Sequence, residues 1–486
     1  MNFVVTIGEA FNHVMNLFGA PIIVPIIVLI ISLVMRVNWK KALNGALYMA
    51  VGLVLFNAVL GILLGSITPY INQMAANVGI SLPYVDVGWQ GAAAIVYSNQ
   101  LGYIYLVLGL GVNLLMFALK LTDTFQPTDI WNYYQFVFWA VIVQMISGSF
   151  WIGLAAAVFM NLVVLLTADI IAPSLQEFNG YENITNTSCP QGGAAPAIIF
   201  AWILRKLKYK GNKFTGESIS GKLGAFGETI TIGLIVGLII AILGSIHNIA
   251  LASTWGGIIT TALTVAGVMI IYPNVSSLFV KGLVPLSNSM NERVSKGNKD
   301  GRRYFNVAMD PAIFFGHSSN LTAAMILIPI VFLISLFLPG NKLMLLADIP
   351  AMPFMTAVII AIFKGDILMT VLFGAVHFSF CNIIISDVAA AFTEATKIAG
   401  VANQVPAIAD AFSQNLGVAT FTVGSNPVLY VVTKAFSAQG LWQVLGIVAC
   451  IAIYLLVFLL FRKNRKRFWM AAGASEAFLR EKNFID

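Results

Sequence analysis

The chain has 486 residues, of which 59% are hydrophobic and only 10% charged, with a mean hydropathy of +0.88. A soluble chain of this length carries about a quarter charged residues, so a soluble globular enzyme is excluded. The formal charge of +7 does not require nucleic acid, because cytoplasmic loops of membrane proteins are enriched in Lys and Arg.

Residues 1–17 are weakly amphipathic and are expected on the membrane surface. The apolar run that follows lacks a basic start and a small-residue cleavage site, so it reads as a retained helix. The pattern predicts helices at about 20–35, 45–65, 101–119, 130–147 and 150–168. Residues 169–193 then turn irregular, and Ala194–Leu204 is apolar but too short to span, as in a re-entrant hairpin. A linker follows that holds Arg205, Lys206, Lys208, Lys210, Lys213 and Lys222. Further helices are expected near 228–244, 255–280, 319–339, 351–363 and 367–385, then an irregular stretch at 388–434 and a last helix at 441–461 with a basic end.

The second half repeats the first. Phe18–Met35 and Phe226–Leu243 match ungapped at six of 18 positions. Ala46–Val78 aligns with Ala262–Val294, ending in Pro69-x-x-Asn72-x-Met74 against Pro285-x-x-Asn288-x-Met290. Asp129-Ile130 then answers Asp348-Ile349, and Asp169-Ile170 answers Asp387-Val388. Equivalent loops carry opposite charge. Arg36, Lys40 and Lys41 follow the first helix, whereas Ser245–Thr254 has no basic residue, and Lys281–Arg303 has six where 66–96 has none. Two copies inserted upside down relative to each other are expected.

The predicted class is therefore all-α: a polytopic membrane protein of two inverted five-helix repeats, each with a re-entrant hairpin, and a final helix, about 11 spans in all. The expected divisions are 1–204, a cytoplasmic linker at 205–225, 226–434, and a tail at 435–486, with the N-terminus outside and the C-terminus inside. That orientation leaves only Lys342, Lys397 and Lys434 of the 27 basic residues outside.

In such folds the substrate site lies near the midplane, among broken helices and hairpin tips. Asp86, in Val85-Asp-Val-Gly-Trp89, and Asp310, in Met309-Asp-Pro311, each sit beside Gly or Pro breaks. A polyol would use such carboxylates and free amides, whereas the plain alternative is that each Asp caps the next helix. Capping also competes for Asp129 and Asp348. Gln135 lies in the following helix and needs a partner or a ligand, while Trp131, Tyr133 and Tyr134 read as interfacial belt residues. Glu228 stands where the first copy has Ala20, which makes it a functional candidate. His377 reads as a core histidine. Cys189, Cys381 and Cys450 have no disulfide or zinc spacing, and no metal or nucleotide motif is present. No cofactor is expected.

These motifs together resemble the galactitol-type membrane component (IIC) of the bacterial sugar phosphotransferase system, within the ascorbate–galactitol superfamily. The resemblance rests on VDVGW (85–89), DIWN (129–132), Ala225-Phe-Gly-Glu228, LIVGLI (234–239), MDPAIFFGH (309–317) and the Pro-Gly-Asn at 339–341. It implies a homodimer in the bacterial cytoplasmic membrane, in which a scaffold holds a moving core that carries the sugar. It further implies separate cytosolic IIB (phosphocysteine) and IIA partners, so that this chain is the transport subunit of a phosphotransferase complex. The binding residues it implies are Asp86, Trp89, Asp129, Asn132, Glu228, Asp310, His317 and Asp348, with hairpins near Gln191 and Ser425. Two positions depart from the family pattern, which has histidines where this chain has Gln135 and Gln191. A glutamine hydrogen-bonds hydroxyls but is no base, which turns attention to Glu228 or Asp310 as the proton acceptor. An ion-coupled transporter of a small polar solute is the alternative reading.

Overall fold

The computed structural model describes residues 20–34, 36–126, 130–207, 228–297, 305–309, 311–403 and 405–485. The first half builds α1 (Ala20–Val34), α2 (Trp39–Val78), β1 (Tyr84–Asp86), α3 (Trp89–Ser98), α4 (Gln100–Ala118) and β2 (Thr124–Phe125). It continues through α5 (Ile130–Ser147), α6 (Phe150–Asn179), β3 (Ile184–Thr185), a 3₁₀ turn at Cys189–Gly193 and α7 (Ala194–Lys206). The second half begins with α8 (Thr229–Gly244), α9 (Ala252–Gly297), β4 (Asn306–Ala308), α10 (Ala312–Phe315), α11 (Ser318–Phe337) and β5 (Leu343–Met344). There follow a 3₁₀ turn at Ile349–Ala351, α12 (Met352–Ile362), α13 (Ile367–Ala399), α14 (Pro406–Ser413), β6 (Gly417–Ala419), α15 (Phe421–Gly424) and α16 (Pro427–Ser437). The chain closes with α17 (Leu441–Lys463), α18 (Arg465–Ala471) and α19 (Glu476–Glu481).

Among the described residues, seven helices are long and apolar enough to cross a membrane, fewer than the roughly 11 spans expected. The difference lies partly in length: α8 and α12 are apolar but run only 16 and 11 residues, and an 11-residue helix is about 17 Å long against a hydrocarbon core of about 30 Å. Conversely, α2, α6, α9 and α13 run on well past their expected ends. Residues 66–78, 169–179 and 388–399 are helical where loop was expected, because Gly79, Gly180 and Gly400, all left-handed C-caps, are the real stops. The expected surface segment at 1–17 and most of the basic linker lie outside the described residues.

The strands had no counterpart in the sequence reading, since two or three residues leave no alternating pattern. They form two parallel three-stranded sheets, β5-β1-β6 and β2-β4-β3. In each, the central strand comes from one half of the chain and both edges from the other. The sheets give hydrogen bonds to main chain that water does not reach, which buried non-helical backbone requires.

Packing separates into two groups. Helices α1, α2, α8 and α9 pack chiefly on one another; at the α2–α9 crossing Gly45 and Gly282 meet face to face, and a methyl on either would come within 2.7 Å of the other's carbonyl oxygen. Helices α5 and α12 lie deep in the remainder, with Phe136 through Val143 and Met352 through Ile362 all buried; in α5, Tyr133 and Tyr134 are buried too, rather than lying in an interfacial belt.

Candidate functional site

The site is built where β1 and β6 end. Asp86 closes β1 with its carboxylate 1% exposed, and it accepts from the backbone N–H groups of Gly88 (3.2 Å), Leu346 (3.3 Å), Asp348 (2.7 Å) and Phe421 (3.2 Å). Asp348 is fully buried. It accepts from the Trp89 N–H (2.8 Å), the Thr420 hydroxyl (2.6 Å) and the Thr422 N–H (2.8 Å). A carboxylate has only lone pairs to offer, so a ring of converging amide donors is the surrounding that suits it. The two acids thus tie the starts of α3 and α15 to the strand ends, across 259, 335 and 74 residues of sequence.

Helix α5 holds two interrupted segments, the 3₁₀ turn at Cys189–Gly193 and the break between α15 and α16 at Ser425, which form two tips. Its Asn132 Oδ1 accepts from the Thr187 hydroxyl just before the first tip. One turn on, Gln135 Nε2 reaches the Thr422 carbonyl (3.5 Å) and Trp139 Nε1 donates to the Val423 carbonyl (3.1 Å) of the second. Within the first tip, Gln191 Nε2 donates to the carbonyls of Val164 (3.0 Å) and Asn186. Within the second, Ser425 Oγ donates to the Thr422 carbonyl (2.6 Å). The tips touch at Gly192, where an added methyl would lie 2.0 Å from the Ser425 carbonyl oxygen. The buried His377 ring abuts this crossing, stacked on Phe373, with Cys381 Sγ at 3.5 Å from its Nε2.

A cavity opens beside these groups, lined by Leu53, Phe56, Asn57, Trp89, Tyr134, Cys189, Pro311, Ala351, Phe354 and Thr422. Its lining has the character of a small-molecule site: mostly apolar walls with a few polar groups. Of the residues singled out from the sequence, Trp89 lines it. Asp86, Asn132, Gln135, Gln191, Asp348 and Ser425 stand behind the wall, holding the strand ends and tips in place. Asn57 and Thr422 were missed. The signal for Asn57 was present, since it is the one polar side chain between Met49 and Gly65, and isolated polar residues in apolar spans are functional candidates.

The remaining candidates lie elsewhere. His317 caps α11, its Nδ1 accepting from the Ser319 N–H at 3.2 Å, and it stacks on Phe178 at 4.0 Å in a separate cavity with Glu177 and Lys364. Glu228 is exposed at the start of α8 and makes no side-chain cap bond. Asp129 and Asp310 lie outside the described residues. Asp169 and Asp387, matched in the repeat, have unlike settings: Asp169 is buried and accepts from the Thr122 and Thr124 hydroxyls, whereas Asp387 is half-exposed and paired with Lys434. Among the described residues, no three His, Cys, Asp or Glu side chains gather as metal ligands.

Residues 13–404 match the family model described as the sugar-specific permease component of the PTS system. The chain is 28% identical over 464 residues to the galactitol-specific EIIC component of the PTS system from Escherichia coli strain K12, covering 94% of this chain and 97% of that protein. It is 29% identical over 389 residues to a putative permease IIC component of the same organism, covering 79% and 86%. With a cavity beside the buried contact of Gly192 and Ser425, and the family match running over most of its length, this chain belongs to the sugar-specific permease components of the PTS system.

Proposed function

We propose that this chain binds a galactitol-like polyol from outside the bacterial cytoplasmic membrane and delivers it inside to a phosphorylated IIB protein, itself charged through IIA. The observation that carries this reading is the alignment of 94% of the chain with a galactitol-specific component, together with a cavity whose lining mixes apolar and polar groups. Its apolar and aromatic lining suits the C–H faces of a polyol, and its amide, indole, phenol and hydroxyl groups suit the hydroxyls. In the coupled step the S–P bond of phosphocysteine breaks, an O–P bond to the sugar alcohol forms, and the hydroxyl proton passes to a base. Asp86 and Asp348 are engaged by main-chain donors and Glu228 is exposed and not among the lining residues, which leaves Asp310, the sequence neighbour of the lining residue Pro311, as the proposed proton acceptor. Trp89 contacts the polyol from the wall and Asp129 joins the binding set, while Asn132, Gln135, Gln191 and Ser425 hold the segments around it.

The proposal includes the architecture. Two inverted repeats, 1–204 and 226–434, joined by a basic linker at 205–225 and followed by a tail at 435–486, account for the exchanged strands of the two sheets and for the reversed loop charges. The N-terminus is then outside, the C-terminus inside, and two copies form the working dimer in the lipid bilayer.

Uptake of radiolabelled galactitol into proteoliposomes containing the matching IIB protein tests the mechanism. Label accumulates as a phosphate ester only with phosphorylated IIB. Accumulation of unphosphorylated polyol under a proton or sodium gradient would mean an ion-coupled transporter instead.

A further inference from the structure

Two polar groups of the cavity have no partner among the described residues. Thr422 is 2% exposed, and its Oγ1 is buried without a hydrogen bond, although its main chain is held on both sides by Asp348 and Gln135. A buried orphan hydroxyl costs about 1–3 kcal/mol, so one retained at a cavity wall points to an occupant. Asn57 lines the same cavity from α2 and is exposed there, in the middle of an apolar span, and none of its hydrogen-bonding atoms is engaged among the described residues. An open carboxamide within an apolar span also calls for a polar partner.

The two groups come from differently packed parts of the molecule. Helix α2 packs chiefly on α9, α1 and α8, whereas the Thr422 segment packs on α13 and α3. No charged side chain is found among the described lining residues. Hydroxyl and carboxamide each offer a donor and an acceptor, as every hydroxyl of a neutral polyol does.

We propose that Asn57 and the Thr422 hydroxyl are specificity-determining contacts that bind hydroxyls of one neutral polyol from opposite packing groups. The bound polyol bridges the two groups, so it favours the arrangement in which α2 faces the second tip. This rests on the polyol-transport reading and extends it to residues outside the motifs of the resemblance.

The test is equilibrium binding of radiolabelled galactitol and its monodeoxy analogues to the purified full-length protein, which needs no IIB. Asn57→Leu and Thr422→Val should each weaken galactitol binding roughly three- to tenfold, the loss of one hydrogen bond. Thr422→Ser should restore it. In Thr422→Val, one monodeoxy analogue should bind as well as galactitol itself, because the deleted hydroxyl no longer has a partner. An unfolded variant shows no binding of any analogue, so this selective loss of discrimination separates recognition from instability. Unchanged affinities, or unchanged ratios across the analogues in both variants, would overturn the proposal while leaving the transport reading intact. Failure of the wild-type protein to bind any polyol would overturn the transport reading, and this proposal with it.

Discussion

Asp348 illustrates how a membrane-buried carboxylate is made tolerable. Three donors converge on its two oxygens, and two of them are the main-chain N–H groups of cavity residues Trp89 and Thr422. In Asp348→Asn the carboxamide must turn its own N–H₂ toward one of those donors, which leaves a buried donor unpaired at a cost of about 1–3 kcal/mol. A lower thermal unfolding midpoint of the detergent-solubilised protein and weaker galactitol binding are expected together. Equal melting and binding would mean that Asp348 does not set the positions of Trp89 and Thr422. The sequence marked Asp348 and Asp86 correctly as unusual. It left open whether each would touch substrate or cap a helix, because the donors that decide this lie some 260 residues away.

At the level of elements, the crossing of the two tips is the most constrained contact. Gly192 abuts the Ser425 main chain, which cannot swing aside as a side chain would. Gly192→Ala should push the tips apart, disturb the cavity wall at Cys189 and Thr422, and reduce galactitol uptake at least tenfold. Gly61→Ala is the control, since a methyl there meets nothing within 4 Å. Equal uptake by both variants would show that the tips tolerate separation. The interruptions at 189–193 and 425–426 were legible in the sequence as irregular polar stretches. Their mutual contact was not, since nothing local to 189–193 names 425 as its neighbour.

Over the whole molecule, the C-terminal tail ties distant parts together. Arg465 pairs with Asp123 at 2.7 Å, Trp469 Nε1 donates to the Asp169 carbonyl at 3.0 Å, and Arg205 grips the carbonyls of Met470 and Ala471. Outer ion pairs add a pH dependence. Lys466 and Arg480 hold the Glu476 carboxyl below its ordinary 4.5, so its contribution to the fold of the tail itself is present above that pH and lost as pH falls through its lowered value. Glu182 and Glu481 hold Lys482 above its ordinary 10.5, so its contribution is present below that pH and lost as pH rises through the raised value. A nitroxide placed at Ile485 should be immobile at pH 7 and gain mobility at both extremes, less so at high salt because such exposed pairs are screened. Mobility that is constant with pH would mean that the buried Trp469 alone anchors the tail.

By itself the sequence determined the helical membrane class, the family and most of the helix starts. All of these follow from local hydropathy, caps and ordered motifs. Tertiary structure decided the exchanged sheets, the burial of Tyr134, the support roles of Asp86 and Asp348, and the choice of Asn57 and Thr422 as cavity groups. The reason is that hydropathy reports only whether a residue leaves water. Which donor meets which acceptor depends on segments hundreds of residues apart, and only the packed chain brings those together.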